Sequence, residues 1–281
     1  MPVDNGIYDR MADGWWDGRG VLNILRSAVN PVRLRYFKGV LADQLRLALP
    51  GRTVVDIGCG GGCMAEEFAR LGCWVTGVDP SHASLDVARR HARQEGLDVE
   101  YREAVGERLP FPDESFDIAL CCDVLEHVED PARVLAEAAR VLRPGGVILF
   151  ETVNRTLPSR VMVGLLQEWS PTSFLPPRSH DWQMFIRPEE LHDLLALSGI
   201  TLADVVGAKP GLGPVSLVRA LRQRKRGELT VAQLGERLQF DPSPDTATLY
   251  MGYGMKTRRN RASDSTAWDR ALVGGAAVRG D

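Results

Sequence analysis

Residues 54–62 read Val-Val-Asp-Ile-Gly-Cys-Gly-Gly-Gly, an apolar strand that runs straight into a turn with almost no side chains. A helical pattern covers 64–71, and a second apolar strand, 74–78, ends at Asp79. A strand, a tight glycine turn, a helix and an acid after the next strand are the parts of a nucleoside site in an open parallel sheet. The glycines let a ligand lie against the backbone. Asp79 is placed to accept hydrogen bonds from ribose hydroxyls. The plain alternative, a generic glycine turn, leaves the acid after the second strand without a purpose.

Two cofactor classes use such a turn. Dinucleotide enzymes need G-x-G-x-x-G so that a pyrophosphate can sit on the helix N-terminus. Here glycines fall at 58, 60, 61 and 62, with Asp56 before them. An acid at the strand end suits a cation better than a diphosphate, which counts against a dehydrogenase. The D-x-G-x-G-x-G pattern resembles motif I of the class I S-adenosylmethionine (SAM) methyltransferases. That resemblance implies SAM as cofactor, with Asp56, Gly58, Cys59, Gly60, Asp79, Pro80 and Asp123 around it.

The expected fold is α/β: a doubly wound, mostly parallel, Rossmann-like sheet of seven strands. The strands are read at 53–57, 74–78, 98–102, 116–122, 147–151, 201–206 and 248–255. Helices at 84–94, 131–142, 187–198 and 230–238 alternate with them. Residues 1–48 read as a helical cover carrying Trp15, Trp16, Tyr36 and Phe37. Residues 49–256 form the SAM-binding domain, with insertions at about 155–186 and 210–240. The first insertion is too apolar for a solvated loop and reads as a cover over the active site. Residues from 257 onward are polar and read as a disordered tail.

The 281-residue chain has a net charge of −3, which gives no hint of nucleic-acid binding. No apolar run approaches the roughly 20 residues of a membrane span. The first residues lack a signal-peptide pattern, so a cytoplasmic protein is expected. The basic run Arg219, Arg222, Arg224, Lys225 and Arg226 leaves peripheral membrane contact open, against the alternative of a solvated helix face. The five cysteines form no C-x-x-C pair and read as buried thiols.

After the fourth strand comes Asp123-Val124-Leu125-Glu126-His127, at the end of the sheet where ligands bind. If this segment is helical, Asp123, Glu126 and His127 share one face. They suit a divalent cation, a general base at His127, or simple ordering of the loop.

More specific blocks lie elsewhere: Trp15-Trp16-Asp17, Asn30-Pro31-Val32-Arg33, Thr152-Val153-Asn154-Arg155, and Ser179-His180-Asp181-Trp182 with Phe185 to Leu191. With these, the chain resembles the O-methyltransferases of ubiquinone biosynthesis over roughly residues 8–200. The resemblance implies methylation of hydroxyls on phenolic, catechol or quinol-like small molecules. It also implies a Mg2+ or Zn2+ site at Asp123, Glu126 and His127, although the family more often has Glu where Asp123 stands. It places Arg33, or its neighbour Arg35, near the SAM carboxylate. It puts Ala104 and Val105 at the adenine end, where many relatives have Asp at the position of Val105. Either His127 or His180 would be the base. Transfer to carbon, nitrogen or sulfur in secondary metabolism, and a SAM-binding membrane module, are the alternatives.

Overall fold

A computed structural model describes residues 4–257. The expected tail, apart from Thr257, lies outside the described residues. The chain opens with a short helix, α1 (Ile7–Arg10), and then a continuous helical segment, Leu25–Val29, α2 (Asn30–Lys38) and Gly39–Gln44. The alternating part follows: β1 (Thr53–Ile57), α3 (Cys63–Arg70), β2 (Trp74–Asp79), α4 (His82–Gln94), β3 (Val99–Glu103), β4 (Phe116–Cys122), α5 (Pro131–Val141) and β5 (Leu142–Val153). Local chemistry sets the helix starts. Ser81 caps α4 by accepting from the Ser84 amide at 3.1 Å, and Asp130 caps α5 ahead of Pro131.

The first insertion holds α6 (Leu157–Val163), a further helical turn and an extended run. Then come α7 (Pro188–Leu197), β6 (Ile200–Pro210), α8 (Pro214–Lys225), α9 (Val231–Leu238), β7 (Phe240–Ser243) and β8 (Leu249–Lys256). Among the described residues the sheet order is β3-β2-β1-β4-β5-β8-β6-β7, eight strands rather than the expected seven. The extra one, β7, contains Pro242 and pairs only with β6, antiparallel, at the sheet edge. An edge is where a strand tolerates proline. The first five strands are parallel, while β8 runs antiparallel between β5 and β6.

Period-two alternation sends Val54, Ile118, Leu120 and Leu149 to one face of the sheet, where they pack with Phe37, Leu41, Phe68 and Leu85. Val55, Ile57, Ala119 and Phe150 face the other side, against Leu135, Ala138, Leu191 and Leu195. Strand order reverses between β1 and β4, and the crevice opens at their carboxyl ends.

The second insertion braces the N-terminal segment. Leu234 and Leu238 of α9 pack with Ala28 and Val29, and the Ala232 amide donates to the Gly18 carbonyl at 2.9 Å.

Candidate active site

The turn after β1 is closed by its neighbour strand. The Gly58 and Cys59 amides donate to the Val78 carbonyl at 2.7 and 3.0 Å. Gly58 and Gly60 sit at φ +69 and +51, where an L side chain is strained. A Cβ on Gly60 would also fall 2.4 Å from the Trp15 ring. Trp15 therefore lies directly on the turn, and its indole N–H donates to Ser84 Oγ at 3.0 Å. Trp16 donates to the Gly61 carbonyl at 2.9 Å and stacks on His91, with 3.4 Å between ring centroids.

Together these elements enclose a cavity of about 490 Å³, a volume suited to a nucleoside-sized ligand. Its sheet wall is Asp56, Gly58, Cys59, Gly60, Asp79 and Pro80, continued by Val105, Gly106 and Glu107. Its other wall is Asn5, Tyr8, Trp15, Asn30 and Arg33 from the N-terminal segment, with Cys122, Asp123 and His127 at the far end. Ala104 stands behind the wall, packed against the core. Residues of the N-terminal segment, expected as a helical cover, line this cavity, and none of 154–186 is in its lining. The His180 ring stands beside that of His127, with centroids 5.0 Å apart.

Asp79 is held by the backbone: Oδ2 accepts from the Gly60 amide and Oδ1 from the Ser81 amide, both at 2.8 Å. Burial raises its pKa against the effect of those two bonds. Burial, and then the charge of Asp79, pushes Asp56 up to about 7. The Asp56 Oδ2 atom is buried with no partner. A cation arriving in the cavity would satisfy that oxygen, and so the wall fits a nucleoside with a positively charged tail.

The far end is organised around Arg33, which donates to Asn30 at 2.9 Å and pairs with both Asp123 and Glu151. Burial alone would lower its pKa, but the two carboxylates more than offset this and raise it. Glu151, at the end of β5, had no signal in the sequence beyond its place on a strand. Arg35, the alternative to Arg33, points outward and pairs with Asp241 at 3.1 Å.

Asp123, Glu126 and His127 do not share a helix face. Asp123 has φ +53, and only Leu125–His127 form a single tight helical turn. The Asp123 carboxylate turns to Arg33. Glu126 is fully buried and accepts from the Thr152 hydroxyl at 2.8 Å, and burial raises its pKa strongly. His127 faces Tyr8, with 3.2 Å from Nε2 to the phenol oxygen. Among the described residues no group of three His, Cys, Asp or Glu side chains is placed to hold a metal ion. The expected divalent site thus does not fit this arrangement, because a guanidinium already neutralises one of its acids.

Burial, then the neighbouring His180, pushes the His127 pKa down to about 3, with Asp123 acting in the opposite sense. His180 is lowered by burial too. Both shifts favour the neutral ring, the form that offers a lone pair. His127 Nδ1 is buried without a partner.

Comparison with known proteins gives a consistent result. Residues 55–150 match the family described as methyltransferase domain. The ubiquinone biosynthesis O-methyltransferase of Cereibacter sphaeroides is 38% identical over 229 residues, covering 79% of this chain and 91% of that protein. That of Alkalilimnicola ehrlichii is 43% identical over 201 residues, covering 71% and 78%. Among solved structures, a SAM-dependent methyltransferase from Thermotoga maritima, titled a possible histamine N-methyltransferase, aligns with TM-score 0.58 at 23% identity over 89% of this chain and 99% of that one. A structure titled for conversion of a disulfide bond into a thioacetal group during echinomycin biosynthesis aligns with TM-score 0.61 at 20% identity, over 95% and 99%. These structural likenesses concern the fold.

Proposed function

This chain belongs to the ubiquinone biosynthesis O-methyltransferase family and is a SAM-dependent methyltransferase; on that premise we propose that it methylates a hydroxyl oxygen of a phenolic, catechol or quinol-like small molecule, with His127 receiving the proton. The observation that carries this reading is one cavity with Asp56 and Asp79 in its sheet wall and His127 at its far end.

SAM, when bound, supplies a methyl group on a positively charged sulfur. Asp79 would take the ribose hydroxyls, and the glycine turn would admit the backbone-hugging part of the ligand. Asp56 would face the cationic end, and Arg33, whose Nε has no partner, would meet the carboxylate. Val105, with Ala104 behind it, would border the adenine.

The protein must align the acceptor oxygen, exclude water and remove one proton. His127 is neutral, so its lone pair is present at every working pH. Charging the ring during transfer is costly in a buried site, and the Asp123 carboxylate offsets part of that cost. No step uses Mg2+ or Zn2+, since Arg33 occupies Asp123. His180 would stand beside His127 as a second imidazole, with ring centroids 5.0 Å apart.

The test is mass spectrometry of reactions with SAM and a panel of catechols, hydroquinones and non-aromatic acceptors, each with and without chelator. A methyl gain on a phenolic acceptor that chelation leaves unchanged is expected. Loss on chelation with restoration by Mg2+ or Zn2+ would overturn the metal-free step. Transfer only to carbon, nitrogen or sulfur acceptors would overturn the O-methyl reading.

A specific surface supports peripheral membrane contact as a second element of the reading. Leu157 and Val161 share one face of α6 and are 71% and 61% exposed. Trp169 lies beside them in sequence with Arg222 of α8 over its ring at 5.7 Å. Apolar side chains next to arginines suit an anionic bilayer surface. Sedimentation with anionic liposomes at low and high salt checks it; a protein that stays in the supernatant at both removes this element.

A further inference from the structure

His127 works as a base only if one particular ring nitrogen is free, and nothing on its own loop decides which. Its peptide carbonyl is held by the Asn5 side chain at 2.8 Å. Its ring meets Tyr8 edge-on, with centroids 5.7 Å apart and planes at 86°. The Tyr8 hydroxyl stands 3.2 Å from Nε2. Tyr8 in turn stacks near-parallel on Trp15 at 6.2 Å, and its carbonyl accepts from Ser84 Oγ at 3.3 Å. The phenol is thus fixed from two sides before it reaches the histidine.

Resting on the O-methyl reading above, we propose that Tyr8 is a positioning residue for His127: it accepts a hydrogen bond from Nε2–H and so leaves the lone pair on Nδ1 for the proton of the acceptor hydroxyl. Nδ1 is the buried ring atom with no partner. In the step, the acceptor O–H bond would break and an Nδ1–H bond form, while the oxygen bonds the methyl carbon and the S–CH3 bond of SAM breaks, its electron pair staying on the sulfur, which leaves as a neutral thioether. The Nε2–H bond to Tyr8 is kept throughout and strengthens as the ring becomes cationic. The phenol remains protonated, because burial and the nearby acids Asp123, Glu126 and Asp79 raise its pKa. The base is then ready only while the N-terminal segment is seated on the glycine turn.

The experiment compares Tyr8→Phe with the unaltered protein, alone and in a His127→Ala background. The phenylalanine keeps the stack on Trp15 and the backbone bond to Ser84. Expected is a fall in kcat of about tenfold, the scale of one hydrogen bond to a charged group, with KM and SAM affinity unchanged and no further fall in the His127→Ala background. In the free protein, the 15N resonances of the His127 ring should show a protonated Nε2 and a bare Nδ1, shifting toward a tautomer mixture in Tyr8→Phe. Unchanged kcat, an equal loss in the His127→Ala background, or ring signals indifferent to the substitution would each overturn the assignment. If no hydroxyl acceptor is methylated, the proposed reaction fails instead, and the ring signals still decide the Tyr8 contact.

Discussion

The two walls of the cavity are built in opposite ways. The sheet wall draws Asp56, Gly58, Cys59, Gly60, Asp79 and Pro80 from one short stretch, where a strand, a turn and the next strand place them by local geometry. The opposite wall draws Asn5, Tyr8, Trp15, Asn30 and Arg33 from a helical segment that docks on partners far along the chain, Ser84, Asp123, His127 and Glu151 among them. The first wall is specified by backbone shape and two carboxylates. The second is specified by side-chain contacts, each replaceable one at a time. On the proposed reading this becomes a division of labour: the sheet would hold the nucleoside part of the cofactor, Arg33 of the opposite wall its carboxylate, and the acceptor's proton would be handled where the two walls meet.

Four measurements break or sharpen that division. The largest effect is expected for His127→Ala, a loss of about 100-fold or more in kcat with SAM affinity unchanged, read by steady-state kinetics and calorimetry. A matching loss of SAM affinity would merge the two walls into one function. Asp79→Asn comes next. It keeps the shape of the side chain but loses its charge, and SAM Kd should rise about tenfold or more while the far end stays intact. The third is a pH effect. Asp56 is protonated below about 7 in the free protein, and a bound cation favours its ionised form, so SAM affinity should rise with pH and level off above about 7. Between pH 6 and 8 the gain is up to about tenfold, and Asp56→Asn should flatten it in calorimetric titrations. The smallest effect is Trp16→Leu, which removes the stack on His91 and the bond to Gly61. It should raise SAM Kd a few-fold and leave kcat within about twofold, because the hydroxyl of Tyr8 still reaches His127.

The same contrast governs what could be read from residues alone. The glycine turn, Asp79 and the strand alternation are visible because each depends on neighbours within a few positions. The Tyr8 contact with His127 spans 119 residues, and no local pattern announces it. The helical reading of Asp123 to His127 fails at its first two residues, Asp123 and Val124. Asp123 adopts a left-handed backbone, a conformation Asp tolerates without leaving any trace in the spacing. Strand β7 was hidden for a related reason: Asp241-Pro242-Ser243 has the composition of a turn, and only its edge position makes it a strand. The membrane reading of α8 rests on composition, and Arg222 over the Trp169 ring, with Lys225 Nζ donating to Ser173 Oγ at 3.2 Å, ties the helix to the first insertion.

The distance along the chain between Tyr8 and His127 also bears on how the protein forms. During synthesis the N-terminal segment emerges first, yet its docking partners on the glycine turn and at His127 are made later. Its contacts have high sequence separation, the kind that closes late because a long loop must be ordered first. The core around Leu135, Ala138, Leu191 and Leu195, which holds no residue of that segment, can therefore assemble before the segment docks. Proton-transfer competence would then mature only with the docking of that segment.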